Sequence, residues 1–333
     1  MTKYIRFLPV LPLLCQALCG NVPGAPEDTM RKMIRKSLPY IEKRGQSWKN
    51  SKGCHSCHRT TFTIWSLNRA AEKGFAVDQA KLKGWNDWGR QWKAFIRKNK
   101  IGEYSGKDRE TVLQRENSAV AQMLLGRPKG EDGDWVGQYR NSLAKGQKED
   151  GSWEAGGQLP RQARPDWETT ESNVMWVVLA LADYTGKDSS GAQSAIGKAL
   201  EWMGGRTQAQ STEWWVTKLL VERQLGTEEK AVALRKALLE KQNPDGGWGW
   251  LTGDSSDAFG TGFALYALAK EGIPISDPSI AKAIDFLAST QKKDGSWQVN
   301  GTKKDGRGEP VETAQYWGTC WAVIGLLEFL EDF

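Results

Sequence analysis

The chain has few residues of the kinds that bind metals or form disulfides: its 333 residues include two histidines and five cysteines. Two of the cysteines fall within the first 20 residues, which leaves Cys54, Cys57 and Cys320 for the rest. Three cysteines are too few for a disulfide framework. Beyond the N-terminal segment, no uninterrupted apolar run reaches the roughly 20 residues needed to cross a bilayer. No transmembrane segment is therefore expected in the exported chain.

Long runs of one charge are also missing. The formal net charge is +6, from 46 basic and 40 acidic residues that are interspersed along the chain. Binding to nucleic acid would need basic residues clustered on one face or in one segment. The composition therefore does not indicate a nucleic-acid partner.

The first 20 residues predict a secretory signal. Lys3 and Arg6 precede an apolar stretch, residues 7–14, and the small residues Ala17 and Cys19 lie near its end. Lipid anchoring at this cysteine is disfavoured, because leucine directly precedes it and glutamine stands two places earlier. We therefore predict a secreted or periplasmic protein.

Three similar segments repeat in the chain: Gln147–Trp153, Gln242–Trp248 and Gln291–Trp297. In each, a glutamine stands six residues before a tryptophan, with Asp-Gly between them. The first gap between copies is about twice the second, so we expect one degenerate copy between them, at 207–212. Asp-Gly favours a tight turn, and the Gln and Trp side chains can tie that turn to neighbouring helices.

Helical apolar spacing flanks each copy, and the same period extends back to the start of the exported chain. This pattern predicts six helix pairs. The predicted pairs are 29–43 with 60–73, 85–98 with 118–125, 135–145 with 170–181, a less regular pair around 207–212, 231–240 with 259–269, and 280–289 with 316–330.

Short helix pairs cannot bury their apolar faces alone, but six stacked pairs can. We predict an all-α fold, a closed (α/α)6 toroid in which the second helix of each pair lies inside. We favour closure over an open solenoid because the last helix, Tyr316–Leu327, is apolar all round and lacks the polar face of a terminal cap. Residues 1–20 then form the signal, and residues 21–333 form one toroid domain.

The three Gln-to-Trp segments resemble the QW motifs of squalene-hopene cyclases and related triterpene cyclases. The resemblance covers residues 132–330 well and 29–126 by periodicity alone. It implies the terpenoid cyclase fold and, more weakly, an isoprenoid or other hydrophobic ligand.

The cyclases protonate an alkene with an Asp-x-Asp-Asp motif, and here that motif is broken. Asp257 matches its first aspartate, but Phe259 and Gly260 replace the other two. Alkene protonation needs an unusually strong acid in a dry pocket, so an isolated carboxylate is a poor substitute. An Asp-Asp-x-x-Asp cluster for magnesium diphosphate is also missing from the sequence. Asp257 remains the candidate acid of a cyclase or isomerase.

The strongest chemical signal is Cys54-His55-Ser56-Cys57-His58. Cys-x-x-Cys-His is typical of c-type haem attachment, in which both thiols bond to the porphyrin and the histidine ligates iron. Haem c is the predicted cofactor. A local disulfide or redox thiol pair, and a zinc site that adds His58 and Cys320, are the alternatives.

The second iron ligand is left open by the sequence. It would be a lysine, a tyrosine, water, nothing or one of the methionines. The candidate methionines are Met30, Met33, Met123, Met175 and Met203. A methionine would favour electron transfer with a redox partner protein, and an open position would favour chemistry on a substrate.

Aligning the inner helices places one acid at the head of each of five helices, level with the cysteine motif at the head of the other. These acids are Glu116, Glu171, Glu213, Asp257 and Glu312. They either cap the helix dipoles or form a carboxylate ring at the mouth of the toroid.

Aromatic residues lie deeper on the same helices, and they either line a central cavity or fill it. They are Phe62, Trp65, Trp176, Trp214, Trp215, Phe263, Tyr266, Tyr316 and Trp317. Our leading hypothesis is a haem-bearing redox or ligand-binding protein acting on a hydrophobic molecule. An active cyclase, a carbohydrate-active toroid that uses two of the acids, and a purely structural toroid are the alternatives.

Overall fold

The structure is a computed structural model that describes residues 25–56, 58–97, 102–156, 159–183 and 190–333. The predicted signal at 1–20 lies outside the described residues. Within these ranges the chain forms thirteen α-helices and no β-strand, as the predicted all-α class requires. None of the described helices is long and apolar enough to cross a membrane.

Twelve of the helices form six pairs in chain order, each an outer helix followed by an inner one. The outer helices are α1 (Ala25–Lys52), α3 (Gln79–Gly89), α6 (Asp134–Lys145), α8 (Ser190–Met203), α10 (Glu228–Leu239) and α12 (Pro278–Thr290). The inner helices are α2 (Thr60–Glu72), α5 (Asn117–Leu125), α7 (Asp166–Ala182), α9 (Thr212–Leu225), α11 (Ala258–Lys270) and α13 (Glu312–Leu327). The remaining helix, α4 (Arg109–Arg115), lies between α3 and α5.

Side-chain patterning separates the two layers. In the outer helix α12, the buried residues are Ile280, Ala283, Ile284 and Leu287, which is the one-sided spacing of a surface helix. In the inner helix α11, every residue from Ala258 to Leu268 is buried, because the helix is covered on all sides. The second helix of each pair is therefore inside, as predicted.

The inner helices form a closed ring. Each contacts the next in the order α2, α5, α7, α9, α11 and α13, and α13 contacts α2. The outer layer meets at the same seam, where α1 contacts both α12 and α13. The predicted toroid is confirmed, and the fully apolar last helix is explained by its position beside the first pair.

The repeated Gln side chains tie neighbouring pairs together, as predicted, but the Trp indoles do not form such hydrogen bonds. The Gln242 amide donates to the carbonyl of Ser279 on the next outer helix at 2.8 Å, and Gln291 donates to Met33 on α1 at 3.0 Å. Each tryptophan instead bonds its own outer helix: Trp297 donates to Leu287 at 2.8 Å. The last copy of the motif thus closes the ring onto the first helix.

Gly295 shows why this turn requires glycine. Its φ is +85°, in the left-handed region, and a Cβ there would collide with the carbonyl oxygen of Lys36 on α1. The Gly295 carbonyl also accepts a hydrogen bond from Ser37 Oγ at 2.6 Å. The turn and α1 therefore meet backbone to backbone.

One helix was predicted with the wrong bounds. The second outer helix spans Gln79–Gly89, not 85–98, because Asp78 caps it by accepting from the N–H groups of Ala80 and Lys81. Its predicted second half is a separate 3-10 turn, Trp92–Phe95.

Candidate functional site

The cysteine motif occupies the loop between α1 and α2, at the mouth formed by the N-terminal ends of the inner helices. Cys54 is buried, and its carbonyl accepts a hydrogen bond from the Trp48 indole at 3.1 Å. Burial raises the pKa of the Cys54 thiol above its usual value. Cys57 lies outside the described residues.

His55 is a packing residue of this loop. Its ring lies 4.0 Å from the Trp88 ring and 5.0 Å from Phe95, measured between centroids. Its Nδ1 is 3.1 Å from Thr60 Oγ1, the first residue of α2. Burial lowers the pKa of His55 to about 3, so it anchors the loop as a neutral side chain.

His58 is the second imidazole of the motif. It is half-buried, and its ring meets the Trp48 ring edge-on at 5.3 Å. Burial lowers the pKa of His58 to about 3, and the positive charges of Arg59, Lys303 and Arg97 act in the same direction. The ring is therefore neutral at pH 7, which is the form that binds metals.

The next residue, Arg59, fastens the motif to the other end of the chain. Its guanidinium binds both carboxylate oxygens of Glu312, with Nη1 2.8 Å from Oε1. It also lies over the Tyr316 ring, 4.8 Å from the centroid. Charge-assisted, two-pronged contacts of this kind are among the stronger hydrogen bonds in proteins. The site therefore spans the seam where the toroid closes.

Two loop segments cross the mouth and form what we call the roof, residues 159–164 and 298–311. The N–H of Ala163 donates to the Thr302 carbonyl at 2.8 Å, and Lys304 donates to Arg161 at 2.9 Å. One segment precedes α7 and the other precedes α13, which stand opposite each other in the ring of six. The roof thus bridges the toroid across its diameter.

A pocket of about 230 Å³ lies beneath the roof, and we call it the mouth pocket. Its lining comes from the roof, the start of α13 and the motif loop. The residues that matter for its chemistry are His58, Gln162, Thr302, Lys303, Glu312 and Trp317. The motif histidine and one of the predicted mouth acids therefore border one pocket.

The other predicted acids do not join them in a ring. Glu116 accepts a hydrogen bond from the Tyr104 hydroxyl. Glu213 accepts from Trp176 at 2.9 Å and pairs with the buried Arg164 at 2.8 Å. Each carboxylate has its own partner, so the mouth carries separate ion pairs and hydrogen bonds.

Glu171 departs from its predicted position. Helix α7 begins at Asp166, so Glu171 lies in the second turn and not at the helix head. Its fully buried carboxylate pairs with Arg206 at 3.2 Å, and burial raises its pKa. The first turn contains two acids that sequence reasoning missed, the exposed Asp166 and the buried Glu168. Glu168 accepts hydrogen bonds from the N–H groups of Gln210 and Ser211 at 2.9 and 2.7 Å, within the predicted degenerate copy at 207–212.

Asp257 caps α11. Its Oδ1 accepts from the N–H groups of Phe259 and Gly260, each at 2.8 Å, and its Oδ2 accepts from Trp250 at 3.0 Å. Burial raises the pKa of Asp257 to about 6, although the three N–H groups oppose that rise. Of the predicted acids, this one fits the capping interpretation by its side-chain contacts.

Aromatic rings fill the axis of the toroid. Trp321 is at their centre, with ring centroids 5.3 Å from Phe62, 5.6 Å from Trp176 and 4.2 Å from Phe263. Trp65 and Tyr266 pack against the same indole. Sequence reasoning listed these neighbours but missed Trp321, which the four-residue spacing from Trp317 on α13 would have identified.

Cys320, a proposed zinc ligand, is fully buried. Burial raises the pKa of its thiol to about 12, and Tyr316 and Ser66 are its hydrogen-bonding neighbours. In the described ranges, no group of three or more His, Cys, Asp and Glu side chains is placed to hold a metal ion.

Comparison with known sequences supports the cyclase resemblance in the C-terminal part. Residues 216–331 match the squalene-hopene cyclase C-terminal domain family. The chain is 37% identical over 101 residues to a squalene-hopene cyclase from Bradyrhizobium diazoefficiens. The matched segment covers 29% of this chain and 15% of that enzyme. Over 62 residues, 18% of this chain, it is 40% identical to a drimenyl diphosphate synthase from Streptantibioticus cattleyicolor, of which it covers 11%. The chain therefore spans a small fraction of these relatives.

Comparison with solved structures covers 92% of the chain. A polysaccharide lyase aligns with a TM-score of 0.57 at 14% identity, over 98% of the lyase. A type II terpene cyclase from Scytonema, solved with its substrate geranylgeranyl dihydroxybenzoate, aligns with a TM-score of 0.56 at 13% identity, over 98% of the cyclase. At these identities the likeness shows the fold, an α/α toroid of the terpene cyclase type, and not the activity.

Proposed function

We propose that this squalene-hopene-cyclase-like toroid is an exported haem protein, with haem c joined to Cys54 and Cys57 and His58 as an iron ligand. The observation that supports it most is the position of His58, whose imidazole lines a roofed pocket directly after the two motif cysteines. The haem would supply a one-electron iron centre at the toroid mouth.

The mouth pocket, at about 230 Å³, is smaller than a haem, so the haem would require the motif loop and roof to be arranged differently from this structure. Each thiol adds across a porphyrin vinyl group, with sulfur bonding one carbon and the hydrogen going to the other, so no oxidant is needed. Arg97 lies over the Trp48 ring beside His58 and offers a positive charge for a haem propionate. Because Cys54 is buried in the folded chain, attachment must come before this loop packs.

The predicted methionine ligands are placed elsewhere. Met30, Met33, Met123, Met175 and Met203 all lie in the hydrophobic core, and none is among the residues that line the mouth pocket. The pocket instead presents Lys303, Gln162 and threonine hydroxyls. This arrangement favours ligand binding or substrate redox chemistry at the iron over methionine-ligated electron transfer to a redox partner protein.

Three observations weigh against cyclase activity. Asp257, the candidate acid, has its carboxylate bound by three backbone N–H groups. The axis, where a polyene would lie, is filled by rings around Trp321. The mouth pocket, at about 230 Å³, is below the roughly 300–1,000 Å³ of drug-sized ligand sites. A hydrophobic ligand stays a prediction, and it would have to bind at the mouth.

The carbohydrate-active alternative requires two carboxyl groups facing each other across an open groove. Glu213 is held by Arg164 and Trp176, and Glu171 is buried beside Arg206. Because each acid is engaged by its own partner, neither fits the role of one half of a facing catalytic pair. The filled axis also suits the purely structural alternative, which differs from our proposal in lacking haem.

An absorption spectrum separates these possibilities. The full chain is expressed with its signal in cells that carry the haem-attachment machinery, and the exported protein is purified. We expect a reduced-state α band that survives acid-acetone extraction. Its absence from correctly exported, folded protein would contradict the proposal and leave the structural toroid.

Matched variants assign the band to the motif. Cys54→Ala and Cys57→Ala should each leave haem held by one bond or lost, and Cys320→Ala should retain the full band because that thiol is buried in α13. His58→Gln should change the axial ligation and hence the spectrum. An unchanged spectrum in His58→Gln would rule out this histidine as ligand.

A further inference from the structure

The mouth pocket contains an unbalanced positive charge. Most cations around it are paired: Arg59 with Glu312, Arg161 with Asp305, and Lys304 with Asp166. Lys303 is half-buried and lines the pocket, and its ammonium forms no ion pair within the part of the chain that the structure describes.

Unpaired hydrogen-bonding groups lie beside this charge. Gln162 is 5% exposed and Trp317 is 6% exposed, and both line the pocket. Gln162 Oε1 and Trp317 Nε1 have no hydrogen-bond partner among the described residues. Buried polar groups are normally paired, because each unpaired one costs roughly 1–3 kcal/mol. Two such atoms therefore belong to side chains that line this one pocket, although others occur elsewhere in the described residues.

The roof fixes the positions of these groups. Gln162 and Lys303 are paired in an isolated antiparallel β-bridge, which joins the backbones of the two roof segments. Hydrogen bonds on either side, from Ala163 to Thr302 and from Lys304 to Arg161, hold that bridge. The Gln162 amide and the Lys303 ammonium are therefore carried by paired backbone segments, so their relative position is fixed before a ligand binds. This favours binding both groups to a single small molecule.

The volume limits that molecule. A water molecule takes about 30 Å³ of liquid, so about 230 Å³ corresponds to roughly eight waters. The ligand therefore has on the order of ten non-hydrogen atoms. The indole of Trp317 gives it one apolar wall.

We infer that the mouth pocket binds a small hydroxylated carboxylate, with its carboxylate on Lys303 and its hydroxyl groups on Gln162 and Thr302. The ammonium requires an anion, and an acceptor oxygen such as Gln162 Oε1 requires a hydroxyl donor. This inference rests on the proposed function only in naming a ligand for the space beside His58. The groups that bind the anion are present whether or not iron is.

Calorimetric titration of the exported full-length protein tests this inference. The probes are glycolate, lactate and galacturonate, with acetate and phosphate as anions that lack a carbon-borne hydroxyl. We expect at least one hydroxy acid to bind several-fold more tightly than acetate. Lys303→Met should weaken that binding by about tenfold to a hundredfold, the range for losing a hydrogen bond to a charged group.

Lys304→Met is the matched control. Its ammonium is also on the roof but pairs with Asp166 at 3.3 Å and lies outside the pocket lining, so affinity should not change. Gln162→Leu should remove the preference for hydroxy acids over acetate. Circular dichroism of each variant checks folding, and Lys303→Gln replaces any Lys303→Met protein that does not fold.

The outcomes are distinct. Equal binding of acetate and all hydroxy acids, binding of phosphate alone, no binding of any probe, or full affinity in Lys303→Met would each overturn the inference. A haem spectrum recorded on the same sample reports separately on the proposed function. Haem without anion binding contradicts this inference alone, and anion binding without haem contradicts the haem proposal alone.

Discussion

Arg59 and Glu312 join the two ends of the toroid at the residue that follows the cysteine motif. Arg59 precedes the first inner helix, and Glu312 is the first residue of the last. The guanidinium is 5% exposed and the carboxylate 48%, so the pair lies half in solvent at the rim of the mouth pocket. A single contact therefore holds both the ring seam and the backbone next to His58.

Arg59→Met should lower the free energy of unfolding by about 1–3 kcal/mol, because it removes charged hydrogen bonds and the packing on Tyr316. Urea denaturation at pH 7 measures this. Arg161→Met is the control. Both side chains of its pair with Asp305 are exposed, so this substitution should change the free energy of unfolding by less than about 0.5 kcal/mol. Equal effects of the two variants would show that the seam pair adds nothing specific.

The difference between wild type and Arg59→Met should depend on pH. Arg59 lowers the pKa of Glu312 below its ordinary value of 4.5, so the carboxylate contributes stability above that value. This contribution is lost as the pH falls through the lowered pKa. Repeating the denaturation at pH 7, 5 and 3 should show the gap between the two proteins narrowing at pH 3.

Asp257→Ala should cost about 2–4 kcal/mol, because it removes a helix cap and leaves the Trp250 N–H without an acceptor. Asp257→Asn should cost less, since it keeps one acceptor oxygen for the helix. Chemical denaturation of both variants measures the difference. Wild-type stability in Asp257→Ala would mean that the carboxylate does not hold the turn.

The pH dependence expected from Asp257 is opposite in sign to that expected from Glu312. Burial raises the pKa of Asp257 from 3.8 to about 6, so the folded chain holds an extra proton between these values. Ionisation of this group therefore costs stability as the pH rises from about 4 to about 6. Asp257→Asn should remove this part of the pH dependence.

Much of the fold could be predicted from the sequence because the repeats report on local geometry. Each QW copy sets a turn: its Gln bonds the next outer helix and its Trp bonds the preceding one, in the same way at every copy. The prediction failed between α3 and α5, where no copy exists and Asp78 and Asp108 set the helix starts. Periodicity alone did not locate those caps.

The site was less predictable because its contacts join distant parts of the chain. The roof depends on a hydrogen bond from Ala163 to Thr302, and the seam depends on Arg59 with Glu312. Aligning helix heads suggested either helix caps or a carboxylate ring. Asp257 caps its helix, and the other four acids are engaged by basic or hydrogen-bonding side chains from other parts of the chain. The partner of Glu213, Arg164, is an example that no local pattern indicated.

Gly295→Ala should reduce stability by roughly 2–5 kcal/mol, from the left-handed backbone and from the collision with Lys36 on α1. Gly306→Ala separates these causes, because its φ is +104° but a Cβ there would meet nothing within 4 Å. It should cost about 1–2 kcal/mol. Denaturant titration gives the free energy of unfolding of both variants. The difference between them is the cost of the collision between residue 295 and Lys36 on α1. Similar losses in both would contradict that close approach.

Trp321→Ala should lower the free energy of unfolding by about 3–5 kcal/mol, since it opens a cavity where the rings of Phe62, Trp65 and Phe263 now meet. Trp321→Leu, with a smaller loss, serves if the alanine variant does not fold. Trp167→Ala, at a site 37% exposed, should cost far less. An apolar cavity of this kind stays dry and binds small aromatic molecules, so benzene should raise the Tm of the Trp321 variant and not of wild type. If benzene stabilises wild type equally, the axis of the toroid already contains open space, and a hydrophobic ligand in the centre becomes the better account of the fold.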